Sequence, residues 1–113
     1  MDADILDRLD AIILSRRGSD PGASYVASLL AKGPSKIRAK LVEEAAEVFE
    51  AAAEGGPEGA RHLVGEAADL LFHLQVLLAS RGLTMNDVRR ELEKREGVGG
   101  HDEKARRSAP PAP

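Results

Sequence analysis

The chain of 113 residues has no cysteine, which excludes a disulfide framework and any thiolate metal ligand. Aromatic residues are nearly as scarce, 3% of the chain against 42% hydrophobic residues in all. A core with so few large rings has to be built from Leu, Val, Ile and Ala on closely packed helices, and this predicts an all-α bundle. Positive charge is not in excess: the formal net charge is -3, and no surface interleaves aromatic with basic residues. Nucleic acid is therefore not an expected partner, because such binding draws most of its affinity from Lys and Arg on phosphates. Long apolar runs are missing too. The longest, Leu70 to Ala79, is interrupted by His73 and Gln75, and it falls far short of the roughly 20 residues a membrane span needs. Met1 leads into Asp2 and Asp4 rather than into a basic and then apolar leader, so the expectation is a cytoplasmic protein without a membrane partner.

The length allows one domain at most. Residues 1–96 are expected to form it, and 97–113 to be a polar, Pro-rich C-terminal tail whose Pro110, Pro111 and Pro113 fit no helix or sheet. Within the domain, Ile5, Leu6, Leu9, Ile12 and Ile13 follow helical spacing up to a stop at Arg16-Arg17-Gly18. Ser24 to Ala31 makes about two turns before Lys32-Gly33-Pro34 breaks it. Pro34 then suits the first turn of a long helix reaching about Glu54, since proline there gives up no needed N–H. A fourth helix runs from Pro57 or Glu58 to Ser80 or Arg81 and stops at Gly82. Thr84 reads as the N-cap of a last helix reaching Arg95, with Asp87 completing part of a capping box.

What the chain does have is acid in two places. Glu43-Glu44-Ala45-Ala46-Glu47 and Glu66-Ala67-Ala68-Asp69 flank the helix breaker Gly55-Gly56-Pro57-Glu58-Gly59. Helical residues three or four apart share a face, so Glu44 with Glu47, Glu43 with Glu47, and Glu66 with Asp69 each project together. Each like-charged pair costs about 0.2–0.5 kcal/mol on an exposed helix and more where water is excluded, a cost that a bound cation would offset. Both clusters lie about eleven residues from the centre of the breaker, or roughly 16 Å along a helix. In an antiparallel hairpin with axes about 8–10 Å apart, they stand at the same height and can share one divalent ion. Height does not fix rotation, so whether the carboxylates face each other is left to packing.

An all-oxygen cluster suits a hard cation such as Mg²⁺, which is commonly shared with substrate phosphates. Lys32, Lys36, Arg38 and Lys40 near the start of the third helix are candidates to neutralise such phosphates, helped by the free N–H groups there. His73 lies on the stripe of Glu66 and Asp69, and His62 stands one turn before Glu66. A histidine so placed more often makes a structural hydrogen bond than a metal bond, and both stay outside the expected site. Tyr25, the only tyrosine, fits either a base or ribose contact or a half-buried packing role. Leu63, Val64, Leu70, Leu71, Phe72, Leu74, Val76, Leu77 and Leu78 cover far more than one stripe of the fourth helix. Such a helix is expected to be buried nearly all round, and so small a chain can cover it only by pairing, most simply as a homodimer.

Several segments together resemble one family: Ser24-Tyr25-Val26-Ala27-Ser28-Leu29-Leu30, Lys32-Gly33-Pro34, Lys40-Leu41-Val42-Glu43-Glu44-Ala45-Ala46-Glu47, Glu66-Ala67-Ala68-Asp69-Leu70-Leu71-Phe72-His73-Leu74, and Ser80-Arg81-Gly82-Leu83. The chain resembles the phosphoribosyl-ATP pyrophosphohydrolases of histidine biosynthesis, within the all-α NTP pyrophosphatase (MazG-like) superfamily. The acidic motifs carry the superfamily. The Ser-Tyr and Lys-Gly-Pro segments, with the stretch from Leu92 through Glu103-Lys104-Ala105, narrow it to the family. The resemblance implies Mg²⁺-dependent hydrolysis of phosphoribosyl-ATP to phosphoribosyl-AMP and pyrophosphate. It implies Glu44, Glu47, Glu66 and Asp69 as metal ligands, with Glu43 as a further ligand or as the catalytic group that orients the attacking water. Lys32, Lys36 and Lys40 are the candidate phosphate contacts. Some family members carry a fused cyclohydrolase domain with cysteine-bound zinc, for which a chain without cysteine has no place.

Two other readings compete. A house-cleaning nucleoside triphosphate pyrophosphohydrolase of the same superfamily would keep the acids and change the base pocket. A non-catalytic helical dimerisation module would leave its acids in water, as most acidic helix faces are, and predicts no metal dependence.

Overall fold

The computed structural model describes residues 3–97, and no strand occurs among them. Five helices follow one another: α1 (Ile5–Ser15), α2 (Tyr25–Lys32), α3 (Pro34–Ala52), α4 (Gly56–Ser80) and α5 (Met85–Arg95). The all-α expectation holds. The proposed tail lies outside the described residues except for Gly97.

Local chemistry sets the helix ends. Asp4 caps α1, its carboxylate accepting from the Asp7 N–H at 2.9 Å. Arg89 of α5 clamps both acids, reaching Asp7 at 2.6 Å and Asp4 at 2.7 Å, and so ties the start of α1 to α5. Ser24 Oγ accepts from the Ala27 N–H to open α2. The Asp87 carboxylate accepts from the Thr84 N–H at 2.9 Å, the half of the capping box that the Thr-Asp spacing foretold. The hairpin turn holds most of its surprise in one glycine. α4 begins at Gly56, slightly ahead of the expected Pro57 or Glu58, with the backbone of Gly56 at a φ of 73° that side chains avoid. A Cβ on Gly59 would stand 2.6 Å from the Glu54 carbonyl oxygen, so this glycine is what lets α4 leave so close to the end of α3.

α3 and α4 form the antiparallel hairpin and share the most extensive contact in the molecule; α1 packs on α4, α2 sits across both α3 and α4, and α5 rests on α1. The apolar core lies where α3 begins and α4 ends, with Ile13, Val26, Leu29, Ile37, Val76 and Ala79 packed together and flanked by Leu14, Leu30, Phe72 and Leu77. A buried polar staple completes it. The Asp10 carboxylate accepts from Gln75 Nε2 at 2.9 Å and from the Met85 N–H at 2.8 Å, joining α1, α4 and the start of α5.

Within one chain α4 is not buried all round. Val76 and Ala79 are fully enclosed, while Leu70, Leu71, Leu74 and Leu78 are only half-covered and Val64 is 70% exposed. The reason is that α3 covers one side of α4 and the short α1 and α2 reach only its C-terminal half. By length and composition alone α4 is long and apolar enough to span a membrane, with 25 residues and an 18-residue stretch of mean hydropathy 1.4. The apolar content spreads beyond Leu70 to Ala79 because Leu63, Val64 and the alanines ahead of Leu70 add to the same helix. The helix nevertheless carries Glu66, Asp69 and His73 on the stripe turned toward α3, which suits the central helix of a bundle.

Candidate metal centre

Glu44 and Glu47 stand near the middle of α3, and Glu66 and Asp69 near the middle of α4. The hairpin brings them to one level, as counting from the breaker predicts. Packing supplies the rotation as well: Glu44, Glu66 and Asp69 each present a carboxylate oxygen within 4.8 Å of the other two. Glu44 is buried, Glu66 half-buried and Asp69 exposed, so the cluster opens to solvent on the Asp69 side. Glu47 adjoins the group, close enough to perturb both Glu44 and Glu66.

The carboxylates carry the marks of crowding. Burial holds the Glu44 carboxyl above its ordinary pKa of 4.5, with the Glu47 carboxyl adding to the rise and His73 opposing it. Glu66 is raised mainly by Glu47 and then by burial, with His62 pulling it back. Two of the oxygens, Glu44 Oε2 and Glu66 Oε2, are buried without a hydrogen-bond partner among the described residues. Buried acceptors are normally satisfied. Oxygens on one Mg²⁺ stand about 2.9 Å apart when adjacent and about 4.2 Å when opposite, so the three acids, all within 4.8 Å of one another, would draw together to close on such an ion. Anionic hard oxygens, two of them orphaned, fit a hard divalent cation better than any other group.

The remaining predicted residues fall around this centre. Glu43 is not drawn into it: the side chain is 60% exposed and lies 3.6 Å from Lys40 Nζ. One helical residue from Glu44 is about 100° of rotation, enough to turn Glu43 out of the gap. Lys40 also lies 3.9 Å from Glu44, so it borders the acids directly. Its pKa is raised, first by Tyr25 and then by Glu43. Lys32 ends α2 and Lys36 opens α3, both exposed at the corner before the acidic stretch.

Two histidines outside the expected site touch its acids. His62 bridges Glu54 at 2.8 Å and Glu66 at 3.2 Å, and the Glu54 contact foremost raises its pKa. His73 is buried; its Nδ1 lies 2.9 Å from the Asp69 carbonyl oxygen and 3.5 Å from Glu44 Oε1, and its Nε2 lies 2.8 Å from the Tyr25 hydroxyl. The sequence held the signal for both, since they share the α4 stripe with Glu66 and Asp69. It could not show what stands opposite.

The family model described as phosphoribosyl-ATP pyrophosphohydrolase matches residues 6–96, nearly all of the described chain. Curated relatives agree. A protein of Erythrobacter litoralis named phosphoribosyl-ATP pyrophosphatase is 53% identical over 102 residues, covering 90% of this chain and 95% of its own. One of the same name from Rhizorhabdus wittichii is 54% identical over 102 residues, with 90% and 93% covered. Another from Nitrosospira multiformis is 53% identical over 108 residues, with 96% and 87% covered. The chain belongs to the phosphoribosyl-ATP pyrophosphohydrolase family.

Proposed function

We propose that the protein hydrolyses phosphoribosyl-ATP to phosphoribosyl-AMP and pyrophosphate, a step of histidine biosynthesis, at a Mg²⁺ site made by Glu44, Glu47, Glu66 and Asp69. The observation that carries this reading is the meeting of carboxylates from two helices around two unpartnered buried oxygens, in a chain of this family. A dimerisation module would have no use for three carboxylates from two helices gathered within 4.8 Å of one another.

The reaction breaks the phosphoanhydride between the α- and β-phosphates. Water adds to phosphorus, a proton leaves the water, and pyrophosphate departs. Phosphoryl transfer of this kind needs positioning and charge stabilisation more than covalent chemistry from the protein. A divalent cation held by the four acids supplies neutralisation of the diphosphate and polarisation of a phosphoryl oxygen. By resemblance we assign Glu43 to orient the attacking water, a role for which its exposed side chain has to swing in from its place 3.6 Å from Lys40. Lys40 borders the acids and meets the diphosphate charge there, with Lys32 and Lys36 as outer phosphate contacts.

We read the molecule as a soluble, cytoplasmic homodimer whose catalytic domain is 1–96, with 97–113 as a tail. Val42 and Phe49 of α3 and Val64 of α4 are 71%, 81% and 70% exposed, an apolar area on the hairpin that a second copy would cover. Pyrophosphate release from phosphoribosyl-ATP, ATP and dNTPs, each with and without Mg²⁺, tests the function. Mg²⁺-dependent release with strong preference for phosphoribosyl-ATP is expected; equal turnover of the free triphosphates, or no metal dependence, would overturn the proposal.

A further inference from the structure

The Tyr25–His73–Glu44 chain crosses three helices, from the first residue of α2 through α4 to the middle of α3. A backbone carbonyl only accepts, so the 2.9 Å contact with the Asp69 oxygen puts the proton on His73 Nδ1. In the neutral ring Nε2 then has only a lone pair, and it accepts the Tyr25 O–H at 2.8 Å. Both ring nitrogens are thereby engaged. No lone pair is left for a metal ion, although the ring lies beside the Glu44 carboxylate of the cluster. Nδ1 also lies 3.5 Å from Glu44 Oε1, a polar contact rather than a hydrogen bond, while Glu44 Oε2 is the buried oxygen without a partner.

Tyr25 makes the arrangement hard to explain as packing alone. The residue is 55% exposed, so it contributes little to the core, yet its hydroxyl is turned inward onto His73. The rings meet nearly at right angles, 88° with centroids 5.9 Å apart, which aims the O–H at the imidazole edge.

We propose that His73, held by Tyr25, is a positioning residue: it fixes the rotamer of Glu44 so that Oε1 faces the imidazole and Oε2 is presented to the cation. His73 is not itself a ligand. This rests on the metal-site reading above. Partners that orient ligating groups from behind are worth about 10–100-fold in metal affinity, and here the usual roles are exchanged, with an imidazole orienting a carboxylate.

The test is binding of Mn²⁺ alone to the full chain, read as free Mn²⁺ by electron paramagnetic resonance without substrate, with helicity followed by circular dichroism. His73→Leu is expected to weaken Mn²⁺ binding about 10–100-fold. His73→Asn, which keeps an N–H near the position of Nδ1, should recover most of that loss. Tyr25→Phe should weaken binding several-fold, and it removes one oxygen from an exposed ring, so it reports even if His73→Leu does not fold. Unchanged Mn²⁺ affinity in both Tyr25→Phe and His73→Leu would overturn the proposal, and lost turnover beside it would assign these groups to the substrate. Binding as weak in His73→Asn as in His73→Leu would make the imidazole a ligand and overturn it too. Should the unsubstituted protein bind no Mn²⁺, the site reading itself fails, and this inference with it.

Discussion

Replacing Glu44 by glutamine should make the metal-free protein more stable and the metal-treated protein less so. Glu44 is buried with Oε2 unpartnered, while Oε1 lies 3.5 Å from His73 Nδ1. Glutamine keeps an acceptor for His73 and places an amide donor where the orphaned oxygen stood, beside the carboxylates of Glu47 and Glu66. Relief of a buried unsatisfied acceptor is worth about 1–3 kcal/mol. For a domain of this size each kcal/mol moves Tm by about 4–8 °C, so the metal-free variant should melt at least about 4 °C higher. With Mg²⁺ at 100 times its Kd, the unsubstituted protein should gain about 2.7 kcal/mol by mass action, a rise of about 11–22 °C, and Glu44→Gln should gain almost nothing. The pH dependence has a definite sign. The Glu44 pKa is raised above 4.5, so the folded metal-free protein holds that proton more tightly than the unfolded chain. Stability from this group is therefore present below the unfolded value and lost as pH rises through the folded one. The advantage of the variant should accordingly shrink as pH falls toward about 4.5. Differential scanning calorimetry across pH, with and without Mg²⁺, reads all three effects. A variant that melts lower without metal, or that keeps the Mg²⁺ shift, would refute the reasoning.

Asp69→Asn should abolish Mg²⁺-dependent pyrophosphate release while leaving the helical circular dichroism spectrum unchanged, because Asp69 is exposed and supports no packing. Asp10→Ala should act the other way, sparing the acids but leaving the Met85 N–H buried and unpaired at about 1–3 kcal/mol, while Gln75 Nε2 keeps its bond to the Leu6 carbonyl; urea unfolding measures the loss. Two glycines of α4 should diverge: Gly65→Ala meets nothing within 4 Å and should stabilise by up to about 1 kcal/mol, whereas Gly59→Ala meets the Glu54 carbonyl and should destabilise, again by urea unfolding. Phe49→Asp should convert the proposed dimer to monomer in sedimentation equilibrium, and a monomeric unsubstituted protein would remove the dimer reading.

The helices were legible because each is encoded in its own stretch of chain. Apolar spacing marked α1, Pro34 and Gly82 marked ends, and Thr84 with Asp87 marked the start of α5. Even the level of the two acidic clusters followed from counting, since rise per residue is fixed along a helix. What counting could not give is the rotation of one helix against another. That angle is set by how Ile37 and Val76 seat among Ile13, Val26 and Leu29 on separate elements, and it decides that Glu44 meets Glu66 and Asp69 while neighbouring Glu43 turns to Lys40 and water. Tyr25 and His73 lie 48 residues apart, and Asp10 lies 65 residues from Gln75. No periodicity links positions so distant. The sequence by itself determined the helices, the composition of the site and its height in the hairpin; the tertiary structure alone decided which carboxylates face inward and which imidazole stands behind them, because only packing between helices fixes their rotation.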